Sequence, residues 1–154
     1  MANTAYYVMV VKGDNDKIRK FIEEAREETD YLFYDFDGDD IKYSDGKAVI
    51  YDGARWSVWS STLIEHFGSD DYSNSWIIKK SKDYGLAIRY RGYETGCCFT
   101  EDFEVVNGEV RIDDCETIEV DVTYDDENFY DWWDDKEFEL SDWIWEIDYE
   151  SEAK

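Results

Sequence analysis

Apolar residues fall along this chain in two rhythms. Almost every position from 5 to 11 is apolar or aromatic, which predicts a central strand covered on both faces. The turn Gly13-Asp14-Asn15-Asp16 can cap a helix. Beyond it, Ile18, Phe21, Ile22 and Ala25 recur at i, i+3, i+4 and i+7, predicting a helix over about residues 16–28. Residues 31–36 predict a second aromatic strand. A turn-rich stretch, Asp37-Gly38-Asp39-Asp40, leads to Ile41-Lys42-Tyr43. The Asp45-Gly46 turn lets residues 48–51 pair back, and Asp52-Gly53 ends that hairpin.

Residues 55–67 predict a second helix. Trp56, Trp59, Leu63 and Phe67 recur at spacings of three and four, and Gly68 supplies a stop. Residues 69–74 form a polar loop. Ile77 and Ile78 open a short segment ahead of the basic cluster Lys79, Lys80 and Lys82. Leu86, Ile88 and Tyr90 alternate with Ala87, Arg89 and Arg91, which is a strand pattern. Residues 99–106 and 109–112 flank Asn107-Gly108, the strongest hairpin signal in the chain. Ile118, Val120, Val122 and Tyr124 alternate with Glu119, Asp121, Thr123 and Asp125, predicting a half-buried strand with an anionic outer face. Trp143, Trp145, Ile147 and Tyr149 alternate as well. They predict a terminal strand, with a short amphipathic helix after Ser141 as the alternative.

Composition narrows the picture. The 154 residues suit one domain, and no Pro-rich or Gly/Ser-rich linker divides them. Seven Trp, 13 Tyr and eight Phe give more burial potential than a disordered acidic chain carries. The formal charge is −24, from 40 Asp and Glu against 16 Lys and Arg. That field repels anions, which argues against direct binding of nucleic acid or an anionic membrane. Cationic partners remain. Cys97, Cys98 and Cys115 form neither a disulfide framework nor a CxxC site, so small buried thiols in a reducing compartment are expected. No apolar run is long enough to span a membrane, and the N-terminus lacks a signal-peptide pattern, so a cytoplasmic location is expected.

The charge is uneven. Residues 113–154 hold 18 acids and two bases, a net of −16 out of the total −24. The preceding part shows a resemblance. The N-terminal strand running into Gly13-Asp14, the pair Trp56-Ser-Val-Trp59, the corner from Tyr84 through Glu94 and Gly96 to Phe99, and the Asn107-Gly108-Glu109-Val110 hairpin occur in order over residues 5–112. In this order they resemble the YubB ferredoxin-like domain family of bacterial, plasmid and phage proteins. Thr100 stands where that family usually has glycine. The resemblance implies an α+β ferredoxin-like antiparallel sheet with two helices packed on one face, and a mobile-element setting. It brings no activity and no catalytic residues. Residues 113–154 lie outside it as an acidic, aromatic-rich C-terminal extension.

No catalytic constellation stands out. The single histidine, His66, has Glu65 beside it but no convincing Ser or Cys nucleophile. Asp35-Phe-Asp37-Gly-Asp39-Asp40 starts like a calcium loop, yet its sixth position is Asp40 and its twelfth Gly46, where Gly and Glu are required. No metal site and no cofactor are expected. What remains is Asp113, Asp114, Glu116, Glu119, Asp121, Asp125, Asp126, Asp131, Asp134 and Asp135, with Tyr130, Trp132 and Trp133 interleaved. Carboxylates can stand in for phosphates, Trp and Tyr suit interface anchors, and partner arginines pair with both. The expectation is a non-enzymatic, stoichiometric inhibitor that blocks the basic surface of a nucleic-acid-binding protein or nuclease effector. An anti-CRISPR or anti-restriction protein of a phage would fit. An immunity protein against a basic nuclease toxin and a divalent-metal-binding protein are the alternatives. Oligomeric state is not readable from the sequence.

Overall fold

The computed structural model describes residues 3–29, 31–64, 72–120, 122–123 and 125–147. Among them, six antiparallel strands form one open sheet in the order β2-β3-β1-β4-β5-β6. β1 (Thr4–Lys12) lies between β3 (Lys47–Arg55) and β4 (Ala87–Glu94). β2 (Ile41–Ser44) and β6 (Glu109–Thr117) are the edges, and β5 (Phe99–Val106) joins β4 to β6. The unbroken apolar run of β1 follows from this central place. Tyr7, Met9 and Val11 enter one core, while Val8 and Val10 enter the other.

The first core is roofed by helices. In α1 (Asn15–Glu28) the Asp14 carboxylate accepts the Lys17 N–H, and Ile18, Phe21, Ile22 and Ala25 are buried as the spacing predicts. A short α2 (Val58–Ser61) starts at Ser57, whose hydroxyl accepts the Ser60 N–H. α3 (Trp76–Tyr84) starts at Ser75 and stops at Gly85, whose φ of 64° suits a residue without Cβ. Lys80 of α3 lies 2.8 Å from Glu24 and 3.3 Å from Glu28, tying α3 to α1. α4 (Phe129–Trp145) covers the opposite face. Its Leu140 and Ile144, with Ile147 beyond it, pack on Val8, Val10, Val49 and Tyr93. α1 and α3 thus share one face, and the opposite face is covered by α4 from the C-terminal part of the chain. Among the described residues, no helix is long and apolar enough to cross a membrane.

Both hairpin signals hold. Asn107 and Gly108 have φ of 48° and 82°, as a tight two-residue turn requires. β2 and β3 pair around Asp45-Gly46, but β3 does not end at Asp52-Gly53. It runs on to Arg55 because β1 pairs with it over its whole length.

Other expectations are corrected. Residues 31–36 form turns. Their amides go to Asp52 and Gly53 of β3, so no strand ladder forms. Of the helix expected over 55–67, the described residues 55–64 form only α2, because Trp56 takes φ of 72° before it and Thr62 caps it after. His66 and Gly68 lie outside the described residues. Residues 118–120 leave the sheet instead of starting a strand, and Ile118 turns into the second core. In place of the expected terminal strand, the helical alternative after Ser141 forms as the end of α4, because Leu140, Ile144 and Ile147 repeat at helical spacing, and the alternation of Trp143 and Trp145 coincides with it; Tyr149 lies outside the described residues. Cys97 and Cys115 are exposed and Cys98 is half-buried, contrary to the expected burial, because a turn and an edge strand carry them.

Candidate functional site

α4 carries acids on one side and apolar residues on the other. Trp133, Leu140, Trp143 and Ile144 face the sheet. Asp131, Asp134, Asp135, Glu139 and Asp142 are exposed, with Lys136 the one base in the helix. From Asp131 to Asp142 the axis rises about 16 Å at ~1.5 Å per residue. These five carboxylates therefore come at about one per 3–4 Å, close to the ~3.4 Å per charge along one strand of a duplex. The aromatic anchors divide. Tyr130 is 66% exposed and Phe138 73%, whereas Trp132 and Trp133 are half-buried. Trp133 packs on the second core and stacks on Phe129 at 6.3 Å between ring centroids.

The acids of β6 do not form one row. Asp113 pairs across from Phe103 and shares the α1–α3 side of the sheet. Asp114 and Glu116 sit opposite Asp102 and Thr100 on the α4 side. There a groove of about 480 Å³ brings Glu116 and Glu119 toward Lys136 and Glu139 of α4. Asp125 and Asp126 lie exposed in the turn before α4, and the Asp126 carboxylate accepts the Asn128 N–H. Among the described residues from Glu119 to Asp125 no strand forms, and Asp121 and Tyr124 lie outside the described residues.

Three strand carboxylates outside the expected site are buried, and each accepts backbone amides of a turn or a helix start. Asp52 is fully buried and accepts the amides of Asp35, Phe36, Gly38 and Gly53. Burial raises its pKa, and those four amides oppose the rise. Glu94 accepts the amides of Gly96 and Cys97, which folds the corner ahead of β5. Glu101 accepts the amides of Val58 at 2.9 Å and Trp59 at 3.1 Å, holding the start of α2 against β5. Burial pushes its pKa up to about 7, the two amides lower it, and nearby Asp113 raises it further. One signal was available for Glu101. It interrupts the apolar row Phe99, Phe103, Val105 on one face of a strand.

Glu101 opens onto a cleft of about 440 Å³ between β4–β6 and α2, walled by Trp59, Tyr90, Phe99 and Phe103, with Asp113 at the rim. Asp113 accepts a hydrogen bond from the Tyr72 hydroxyl. Among the described residues, no group of three or more His, Cys, Asp or Glu side chains is placed to hold a metal ion. The fold and these surfaces define an acidic α+β protein, with an open antiparallel sheet and four α-helices among the described residues. Comparison with family models, curated proteins and solved structures finds no match for this chain.

Proposed function

We propose that this protein is a stoichiometric inhibitor that docks on the basic, nucleic-acid-binding surface of another protein, with the outer face of α4 standing in for a phosphate strand. The observation that carries this reading is the run of exposed carboxylates from Asp131 to Asp142. Glu116 and Glu119 widen the acidic surface at the neighbouring groove. Steering by such a field gives fast, salt-sensitive association. The order β4-β1-β3-β2, with helical crossovers after β1 and β3, supports a ferredoxin-like reading of the first four strands. β5, β6 and α4 are then additions to that unit. A phage or mobile-element protein acting against a host defence system, such as CRISPR or restriction, is the setting we propose.

The test uses the intact protein as bait for nucleic-acid-binding effectors, washed with rising salt and then with competing DNA or RNA. A variant carrying Asp131→Asn, Asp134→Asn, Asp135→Asn, Glu139→Gln and Asp142→Asn is run beside it. The expected result is capture of a basic effector that nucleic acid displaces, lost in the variant while its circular dichroism is unchanged. Equal capture by the variant, or a partner indifferent to nucleic acid, sinks the proposal.

A further inference from the structure

We propose that the cleft between β4–β6 and α2 is a binding site for an organic cation, a guanidinium or ammonium group on a short apolar stem. The site lies on the opposite side of the sheet from α4, so it stands apart from the inhibitor reading.

Its size falls in the ordinary range of small-ligand sites, about 300–1,000 Å³. Its walls are aromatic. Trp59 meets Phe103 at 5.7 Å between centroids, and Tyr90 stacks on Phe103 at 5.2 Å. Such faces attract cations. Elsewhere the chain covers its own rings this way: Arg19 lies over Tyr43, Arg55 over Tyr31 and Arg91 over Trp143. Among the described residues, no Lys or Arg of the chain lies over Trp59, Tyr90, Phe99 or Phe103, and none lines the cleft. The position a cation would take is left to a ligand.

The polar groups agree with that sign. Glu101 is 5% exposed, and each of its oxygens takes one backbone amide, which leaves acceptor capacity on both. Tyr90 is 1% exposed and lines the cleft. Among the described residues, no hydrogen bond engages its hydroxyl, which is a donor and acceptor available to an occupant. Asp113 at the rim repels an anionic ligand. A guanidinium or ammonium donates to Glu101 while its stem lies on the rings.

The same chemistry is offered by a free amine and by an arginine side chain of a protein, so two probes are used. Agmatine and N-acetyl-arginine methylamide are titrated into the full chain at 150 mM salt. The indole N–H resonance of Trp59, assigned through Trp59→Phe, is followed by NMR. The neutral N-acetyl-citrulline methylamide serves as control. The expected result is a saturable shift of the Trp59 resonance with one or both cations and none with citrulline. Asp113→Asn should weaken binding about two- to fivefold, as loss of one exposed charge does. Trp59→Leu, read through neighbouring backbone amides, should weaken it more than about fivefold. Tighter binding of agmatine assigns the cleft to a free amine; tighter binding of capped arginine assigns it to a partner's side chain. A shift that grows linearly and equally at all indoles is diffuse attraction to an acidic surface and overturns the proposal. So does equal binding of citrulline, or unchanged affinity in both variants.

Discussion

Replacing Glu101 by Gln isolates the cost of an ionised carboxylate in the first core. Glu101 is held at a pKa of about 7, against an ordinary glutamate value of 4.5, chiefly because burial penalises its charged form. The native state therefore keeps the Glu101 proton over a range where the unfolded chain has released it. Between pH 4.5 and about 7 the unfolded state binds fewer protons, so stability falls as pH rises. The stabilising contribution is complete below pH 4.5 and is lost as pH passes through about 7. The shift of about 2.5 units corresponds to roughly 3 kcal/mol at 1.36 kcal/mol per unit. The neighbours do not cancel this. Asp113 pushes in the same direction, while Cys115 and Tyr90 are both raised and stay neutral below pH 8. Gln matches the protonated acid in charge, but its NH2 cannot accept the second of the two amides from Val58 and Trp59, so near pH 5 the Gln variant should be the less stable by about 1–3 kcal/mol. Between pH 5 and pH 8 the difference should move in favour of Gln by about 2–3 kcal/mol. Urea unfolding followed by circular dichroism at pH 5, 6, 7 and 8 measures the difference. Taking the difference removes the pH dependence of the other acids, which both proteins share. A difference that stays flat across that range refutes the argument and returns Glu101 to ordinary carboxylate behaviour.

Asp52→Ala takes the carboxylate from the amides of Phe36, Gly38 and Gly53, while the Asp35 N–H keeps the Gly53 carbonyl, and at about 1–3 kcal/mol for an unsatisfied buried group the loss should reach ~3 kcal/mol or more. Limited proteolysis should then cut first within residues 31–40. Ile144→Ala empties a fully buried position under α4 and should cost about 2–5 kcal/mol in urea unfolding, with early loss of hydrogen-exchange protection in α4. Arg91→Gln removes the hydrogen bond to the Trp143 carbonyl at 3.1 Å and the ion pair with Asp102 at 3.5 Å. Because Asp102 keeps Arg89 at 3.3 Å, the expected loss is about 2–3 kcal/mol, below the usual cost of breaking a buried pair outright. A loss under 0.5 kcal/mol would show that α4 is held by its apolar face alone.

Local rules made much of the sheet legible. The β1 run, the α1 stripe and both tight turns depend on residues close in sequence, and they appear where the pattern puts them. The misses share a cause. Residues 31–36 have the composition of a strand, but Asp52 collects the amides that a strand would have paired. Only the partner, sixteen or more residues away, decides that outcome. The end of α4 fits both a strand and the helical alternative, because Trp143, Trp145 and Ile147 satisfy a two-residue period by coincidence, while burial falls on Leu140, Ile144 and Ile147 at helical spacing. For the candidate site, the exposed acids on α4 were legible as charge, but their placement on a helix was not. The anionic strand expected from Ile118 onward does not start among the described residues, because residues 118–120 leave the sheet and Ile118 turns into the second core. The acids of β6 divide because successive residues of a strand face opposite ways, so Asp113 parts from Asp114 and Glu116. The cleft at Glu101 was invisible as a cavity, although one acid in an apolar row marked its floor.

The acids of this chain divide by what answers their charge. Asp52, Glu94 and Glu101 are buried, and backbone amides of turns or a helix start satisfy them. They shape the fold, and of the three only Glu101 opens onto the cleft at α2. The acids of α4 are answered only from below. Arg91 donates to the carbonyl of Trp143 near the end of the helix, where the dipole favours a cation, and lies 3.9 Å from Glu146. Lys136 pairs with Glu139 at 3.6 Å. Nothing comparable is placed outside Asp131, Asp134, Asp135 and Asp142 among the described residues. Burial of Leu140, Ile144 and Ile147, about 1.5–3 kcal/mol each, is what holds this crowded charge in place. A basic partner would relieve the repulsion along α4 without disturbing that apolar seam. Its binding energy would then include the self-repulsion that the free protein carries, which gives the outer face of α4, and not the buried acids, the means to favour a cationic surface.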